Sequence, residues 1–402
     1  MPPGQTVRME DLLERLARLP CGRRLLDAAG DDGGVHLVGG AVRDLLLGRE
    51  PREFDVVVEG DIGALAQRLG EPCAVNPRFG TASVRAADGC RYDLAIARAE
   101  AYARPGALPD VRPAAIDEDL LRRDVTVNAL ALDLRTGALR AVDHAREDLA
   151  AGRLRVLHDA SFADDPTRLW RLARYAARLG FAPEERTAAL AAAAVAGGAL
   201  DTVSATRIGN ELRLALREPD PVAALESAVA LGLAPWLRVD RERADAALAL
   251  LAPGEGARDL VVLAACLAPG AAERVAGLGF GAGEAAVLRA AERAPQLAAA
   301  MTAAARPAAL ARVARGLPAE VVALAGASGA AAPARRWLDE LRHVALRIGG
   351  DDLLAAGIPA GPAIGARLQS VLDRRLDGDL GPGREAELAA ALGEPEPGTG
   401  TP

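Results

Sequence analysis

HLVGGAVRDLLLGREPREFDVVVEGD, residues 36–61, reads as a strand over His36–Val38, a glycine pair, a short amphipathic helix, a turn and a second strand. The second strand is expected to carry Glu53 and Asp55 with Phe54 between them. Alternation then puts both acids on one face and Phe54 on the other. Two carboxylates side by side repel. They are tolerated where they share a hard cation such as Mg2+, which takes oxygen ligands and keeps sites open for substrate phosphates. The same spacing also arises at solvated strand ends, so the pair gains meaning only with its neighbours. Gly39 and Gly40 close the first strand, where backbone N–H groups at a helix start can approach an anion. Arg43, one turn on, has the fork to grip a phosphate. A tight strand–helix junction would use the glycines equally well.

Outward from this stretch, the 402-residue chain is too long for one compact domain at ~150 residues each. Half of it is apolar, enough for a large core. No run of ~18 strongly apolar residues suggests a membrane span, and MPPGQTVRMEDLLERL has no apolar segment typical of a secretory leader. Cys21, Cys73, Cys90 and Cys266 form no CxxC pair and no zinc spacing, which points to a reducing, cytoplasmic setting. The net charge is −7, and all 48 basic residues are arginine; that bias leaves only positioned arginines as evidence.

Residues 9–30 read as a helix broken near Pro20. The runs VHLVG, EFDVVVEG, TASVRAA and YDLAIAR follow as strands bounded by turn residues. Residues 99–115 read as a loop, 117–123 as the start of a helix, and NALALDL as a further strand. The first ~150 residues are therefore mixed α and β. Beyond Asp164 the pattern is Ala/Leu/Arg-rich with helical periodicity to about Leu392, without strand signals. The alanine runs 188–194 and 298–305 read as exposed or loosely packed helix, and the end GEPEPGTGTP as disordered.

These motifs, taken in order, carry a resemblance. GGAVRDLLLG followed by EFDVVVEGD resembles the head of class II tRNA nucleotidyltransferases (CCA-adding enzymes) and bacterial poly(A) polymerases, of the DNA polymerase β superfamily. RRDVTVNA (122–129) is similar to that family's RRDFTxNA motif, and DDPTRLWRLARYAARLGF (164–181) to its nucleotide-reading motif. Weaker likenesses continue in LDTVSATRIGNELRLAL and IGGDDLLAAGIPAGPAIGARLQSVL. The resemblance implies an α+β fold: a nucleotidyltransferase head with a small mixed sheet over 1–150, a helical neck over 151–255, a helical tRNA-binding body and tail over 256–392, and a disordered end over 393–402. It implies addition of CMP and AMP, from CTP and ATP, to the tRNA 3′ end with Mg2+. Partial enzymes adding only CC or only A, and poly(A) polymerases, share the head motifs. A tRNA-binding protein that has lost catalysis is a reading from another class, favoured only by Glu53 standing where the family has aspartate.

By the resemblance, Glu53 and Asp55 hold the metal, with Asp93 on YDLAIAR as a third catalytic carboxylate. Gly39, Gly40, Arg43 and Arg123 meet the triphosphate, Asp124 the ribose, and Asn128 braces the loop. Asp165 before Pro166 is by itself a helix-cap signature. It can also accept from the amino group of cytosine or adenine while Arg168 donates to the ring nitrogen, a pattern that uracil and guanine oppose. The resemblance carries Arg171 and Arg174 to the nucleotide as well, although steps of three leave Arg174 roughly opposite Asp165 on an ideal helix. Trp170 reads as core. His158–Asp159 has no partners for a metal motif, and with four histidines in all the metal-dependent phosphohydrolase domain of longer family members is not expected. Arg335, Arg336 and Arg342 are candidate tRNA contacts that fit a solvated helix face equally well.

Overall fold

The computed structural model describes residues 10–76 and 80–393. The expectations about a leader and a disordered end rest mainly on residues 1–9 and 394–402, outside the described residues. The chain divides into two compact units, 1–234 and 235–402, within an α+β fold.

In the first unit, α1 (Glu10–Arg18) and α2 (Pro20–Ala29) are separated at Leu19, as Pro20 suggests. A seven-stranded mixed sheet follows. Its strands are β1 (Val35–Val38), β2 (Phe54–Val58), β3 (Glu71–Asn76), β4 (Thr81–Arg85), β5 (Arg91–Ile96), β8 (Leu130–Asp133) and β9 (Leu139–Ala141). The spatial order is β3-β4-β5-β2-β1-β8-β9; only β2 and β5 run parallel. Between β1 and β2 lies α3 (Gly40–Leu46), and α4 (Gly63–Leu69) follows β2. Period-2 alternation separates the faces. Phe54, Val56 and Val58 of β2 and Tyr92 and Leu94 of β5 join the main head core with Leu12, Leu16, Leu25 and Leu65. On the other face Val57 packs beneath Ile116 and Leu120 of α5 (Ile116–Leu121). Asp55 and Asp93 share that face and are register partners across the parallel pair.

Three expectations need correction. Glu53 lies in a bend immediately ahead of β2, not on the strand, because the turn leaving α3 runs through Pro51 and Arg52 and pairing starts at Phe54. The segment read as a loop contains a two-stranded ribbon of β6 (Arg98–Ala101) and β7 (Asp110–Pro113), which carries 102–109 as its connection. Cys21 and Cys90 are joined in a disulfide between α2 and the start of β5, with Cα atoms 5.5 Å apart. Their separation of 69 residues hides the pairing from a spacing argument, and the bond runs against the reducing setting read from the cysteines. Cys73 is exposed and Cys266 buried; neither takes part in that disulfide.

The helical part of this unit begins with α6 (Ala145–Ala151), α7 (Ser161–Asp164) and α8 (Thr167–Leu179). It continues with α9 (Glu185–Ala196), α10 (Ala205–Leu216) and α11 (Pro221–Ala230). One short parallel pairing, β10 (Arg153–Leu154) with β11 (Ala182–Pro183), interrupts what the sequence suggested was purely helical beyond 164. Leu169, Trp170, Leu172 and Ala173 are buried along α8, which packs on α10 and α11; Trp170 is core, as its position implied.

The second unit is helical throughout its described residues, apart from an isolated bridge between Leu237 and Leu267. Its last helices close a small core of Ile348, Leu353, Val371 and Ala391. The helix Ala331–Asp339 buries Ala334, Trp337 and Leu338 and leaves Arg335 and Arg336 exposed, while Arg342 pairs with Glu255. Among the described residues no helix is long and apolar enough to cross a membrane.

Candidate active site

A cleft of about 530 Å3 opens in the first unit among β2, the start of α3, the turn after α5, and α8. Every catalytic or nucleotide-binding candidate from the sequence lines it except Asp93, which lies in an adjoining depression that also takes in Asp55, Arg122 and Arg123. Eight arginines and five acids line the cleft, so its lining is net positive and suits an anionic ligand.

The acids are at the sheet end of the cleft. Burial, then the charges of Glu53 and Asp93, push the Asp55 carboxyl from its ordinary 3.8 up to about 6, against the opposing pull of Arg123 and Arg171. The arginines present therefore do not neutralise this cluster. Its donors are all carboxylate oxygens, and among the described residues no three or more His, Cys, Asp or Glu side chains form a group that could hold a metal ion by themselves. Such a set fits a hard cation that completes its shell with phosphate and water, and lacks the histidine or cysteine donors that dominate zinc sites. Ser83 on β4 donates to Asp93, its register partner, and fixes one of its oxygens.

Behind the acids, the motifs are joined by a polar chain. Arg43 is 2% exposed; its Nε and Nη2 donate to Asp44 Oδ1 at 2.9 and 2.8 Å and its Nη1 to Asn128 Oδ1 at 2.6 Å. Asn128 Nδ2 donates to Asp124 Oδ1 at 3.2 Å, and the other Asp124 oxygen accepts from Arg171 Nε at 2.6 Å and Tyr175 at 2.8 Å. Burial alone would raise the Asp124 carboxyl, but Arg171, Tyr175 and Asn128 together hold it well below the usual carboxylate range. Thus Arg43, Asn128, Asp124 and Arg171 bind one another and lock α3, the turn after α5 and α8 into one frame. Gly39 is fixed by the same frame: its φ is +65°, and a Cβ there would lie 2.8 Å from Arg123 Nη1. Arg123 also donates to Asp119, and its Nε is buried without a partner among the described groups.

At the start of α8, Asp165 Oδ1 accepts from the Thr167 backbone N–H at 3.0 Å and Thr167 Oγ1 at 2.6 Å, so the helix-cap reading is realised. Arg168 donates through Nη1 to Ser161 Oγ at 2.8 Å and through Nη2 to the Arg122 carbonyl at 2.7 Å. Those bonds fix its guanidinium at the cleft wall beside Asp165. Arg174 is held by Glu211 at 2.8 Å and Glu218 at 3.0 Å, and Arg178 shares Glu218. Arg174 therefore ties α8 to α10 and to Glu218 just beyond it.

Several residues here carried no signal that the sequence reading used. Tyr175 was detectable, since it lies four residues beyond Arg171 on one helix face and stacks with it at 5.8 Å. Arg122, the first arginine of RRD, binds Asp119 and Glu100. Glu100 and Tyr102 sit in the segment taken for a loop and join each other. Glu211, Glu218 and Arg207 come from distant sequence, and only folding brings them in.

Residues 35–155 match the family described as the Poly A polymerase head domain. An A-adding tRNA nucleotidyltransferase of Geobacter sulfurreducens is 43% identical over 213 residues, 51% of this chain and 24% of that protein. A CC-adding tRNA nucleotidyltransferase of Deinococcus radiodurans is 44% identical over 200 residues, 48% of this chain and 52% of that protein. The chain thus spans about half or less of the length of these curated relatives. The solved Thermotoga maritima CCA-adding enzyme complexed with tRNA_CCA aligns with a TM-score of 0.72 at 27% identity, over 97% of this chain and 99% of that one. With the glycine pair, the RRD turn and the α8 motif gathered on one cleft, residues 35–155 match the Poly A polymerase head domain, and the chain is similar in sequence and fold to tRNA nucleotidyltransferases.

Proposed function

We propose that the protein is a template-independent nucleotidyltransferase that adds CMP and AMP, from CTP and ATP, to the 3′ end of tRNA, with Mg2+ as cofactor. The observation that carries this reading is the meeting, in one positively charged cleft, of an uncompensated oxygen-only acid cluster and a helix start presenting a carboxylate beside a guanidinium.

In this reading Glu53 and Asp55 hold Mg2+, and Asp93 completes the carboxylate set beside the attacking 3′-hydroxyl. When bound, the cation supplies Lewis acidity at the α-phosphate and eases ionisation of the hydroxyl. The 3′-oxygen attacks the α-phosphorus in line, the bond to the β-phosphate oxygen breaks, and pyrophosphate leaves. Arg123 and the backbone at Gly39 and Gly40 receive the triphosphate. Arg43, Asn128 and Arg171 act mainly by holding Asp124, whose carboxylate meets the ribose once the nucleotide displaces one of its donors. Asp165 and Arg168 face the base, and Arg174 braces α8 from behind. The second unit would hold the acceptor arm through backbone contacts that report shape more than sequence, with Arg335 and Arg336 as exposed candidates.

A narrower activity is the second reading, supported by relatives named A-adding and CC-adding tRNA nucleotidyltransferases. Labelled CTP and ATP offered with tRNAs ending before CCA, after the first C, and after CC separate full, CC-only, A-only and poly(A) activity.

A further inference from the structure

We infer that Arg207 is a positioning residue for nucleotide choice, acting through Asp165. This rests on the proposed role of Asp165 in reading the base. Arg207 lies in the first turn of α10, 42 residues from Asp165, and donates through Nη2 to Asp165 Oδ1 at 2.8 Å. Its Nη1 donates to the Gly106 carbonyl at 2.8 Å. Arg207 is not among the residues lining the cleft, so it reaches the carboxylate from outside that lining.

The bonds on Asp165 are one-sided. Thr167 N–H, Thr167 Oγ1 and Arg207 Nη2 all reach Oδ1. Three donors on one oxygen set the plane of the carboxylate and direct Oδ2 outward as the acceptor for an incoming amino group. Such an acceptor suits cytosine or adenine and sets a lone pair against the carbonyl of uracil or guanine. Thr167 alone holds Oδ1 from within the same helix turn. The bond from Arg207 comes from another element and prevents the carboxylate from swinging about its χ2.

Arg207 is itself held from the far side. Gly106 has φ +70°, its N–H donates to the Ala163 carbonyl at 3.1 Å, and a Cβ at this position would meet Thr202 Oγ1 at 2.3 Å. The Gly106 carbonyl is therefore a fixed anchor, and the ribbon connection 102–109 reaches the base-reading carboxylate through a single guanidinium. Gly106→Ala disturbs that anchor while leaving Arg207 and Asp165 unchanged.

The test compares Arg207→Ala, Arg207→Lys, Gly106→Ala and Asp165→Ala with the unaltered protein, measuring kcat and KM for CTP, UTP, ATP and GTP on defined tRNA ends. Losing one hydrogen bond to a charged acceptor is expected to lower CTP-over-UTP and ATP-over-GTP discrimination in kcat/KM about tenfold for Arg207→Ala. Arg207→Lys keeps one donor and is expected to recover most of that selectivity. Gly106→Ala is expected to shift selectivity in the same direction by a smaller factor. An equal loss of kcat/KM for all four nucleotides in Arg207→Ala, with discrimination unchanged, overturns the inference by showing a purely structural role. If Arg207→Ala does not fold, Arg207→Gln is read in its place with the same criterion. Asp165→Ala separates the two layers. If it leaves discrimination intact, base reading by Asp165 is wrong; if it abolishes discrimination while the Arg207 variants do not, only the present inference fails.

Discussion

Removing the Asp55 charge should stabilise the metal-free protein. Asp55 is partly buried beside Glu53 and Asp93, and its carboxyl titrates at about 6 in place of the ordinary 3.8. The displacement corresponds to up to about 3 kcal/mol of preference for the neutral form in the fold. Between pH ~4 and ~6 the folded chain binds more protons at this site than the unfolded chain, so stability falls as the pH rises through that window. Asp55→Asn has no such titration. In EDTA the variant should match the unaltered protein near pH 4 and exceed it increasingly up to pH 6, reaching a plateau above. For a unit of this size about 2–4 °C accompanies each kcal/mol, so the plateau lies up to about 6–12 °C higher in Tm. Calorimetry at pH 4, 5, 6 and 7.5, with and without millimolar Mg2+, reads both effects. The cation should stabilise the unaltered protein and not the variant, closing the gap by mass action. A gap independent of pH, or a variant less stable than the unaltered protein at pH 7.5 in EDTA, refutes the reasoning about an uncompensated acid cluster.

Asp55→Ala should abolish CMP and AMP incorporation while tRNA binding, measured by filter retention, persists, whereas Glu53→Asp should retain turnover because a ligand is shortened and not lost. Asp124→Ala strands Arg171 and Tyr175 and should lower stability by about 2–3 kcal/mol, the lower range applying because the Arg171 side chain keeps 39% exposure. Since the Asp124 carboxyl is held well below its usual range, that difference should be full at pH 7 and shrink as the pH falls below ~4, as urea unfolding at both ends would reveal. Gly39→Ala imposes a Cβ at φ +65° against Arg123 and should raise KM for nucleotide without changing the selectivity between CTP and UTP.

The sequence carried the head strands, the glycine junction and the acid pair because each is a local pattern: alternation, a turn and a two-residue spacing. It also located the three motifs that meet in the cleft. It could not show that Arg43, Asn128 and Asp124 bind one another, because those bonds join residues up to 85 apart. Arg43 looked like a free phosphate fork and is instead the inner end of a brace. Arg174 followed the helix geometry that set it away from Asp165, and its partners Glu211 and Glu218 came from a segment with no motif of its own. The ribbon of β6 and β7 escaped notice because its Ala- and Pro-rich residues lack the β-branched and aromatic enrichment that marks a strand. Arg207 was invisible for a further reason: in a chain whose basic residues are all arginine, only its bonds to Asp165 and Gly106 distinguish it from the rest.

Incorporation of labelled CTP and ATP into tRNA transcripts lacking the terminal CCA, with purified protein and Mg2+, tests the central claim most directly. The proposal expects CMP or AMP to be added while UTP and GTP are refused, and EDTA or Asp55→Ala to stop the reaction. Absence of any incorporation by folded protein with Mg2+, on transcripts ending before CCA, after C and after CC, would contradict it.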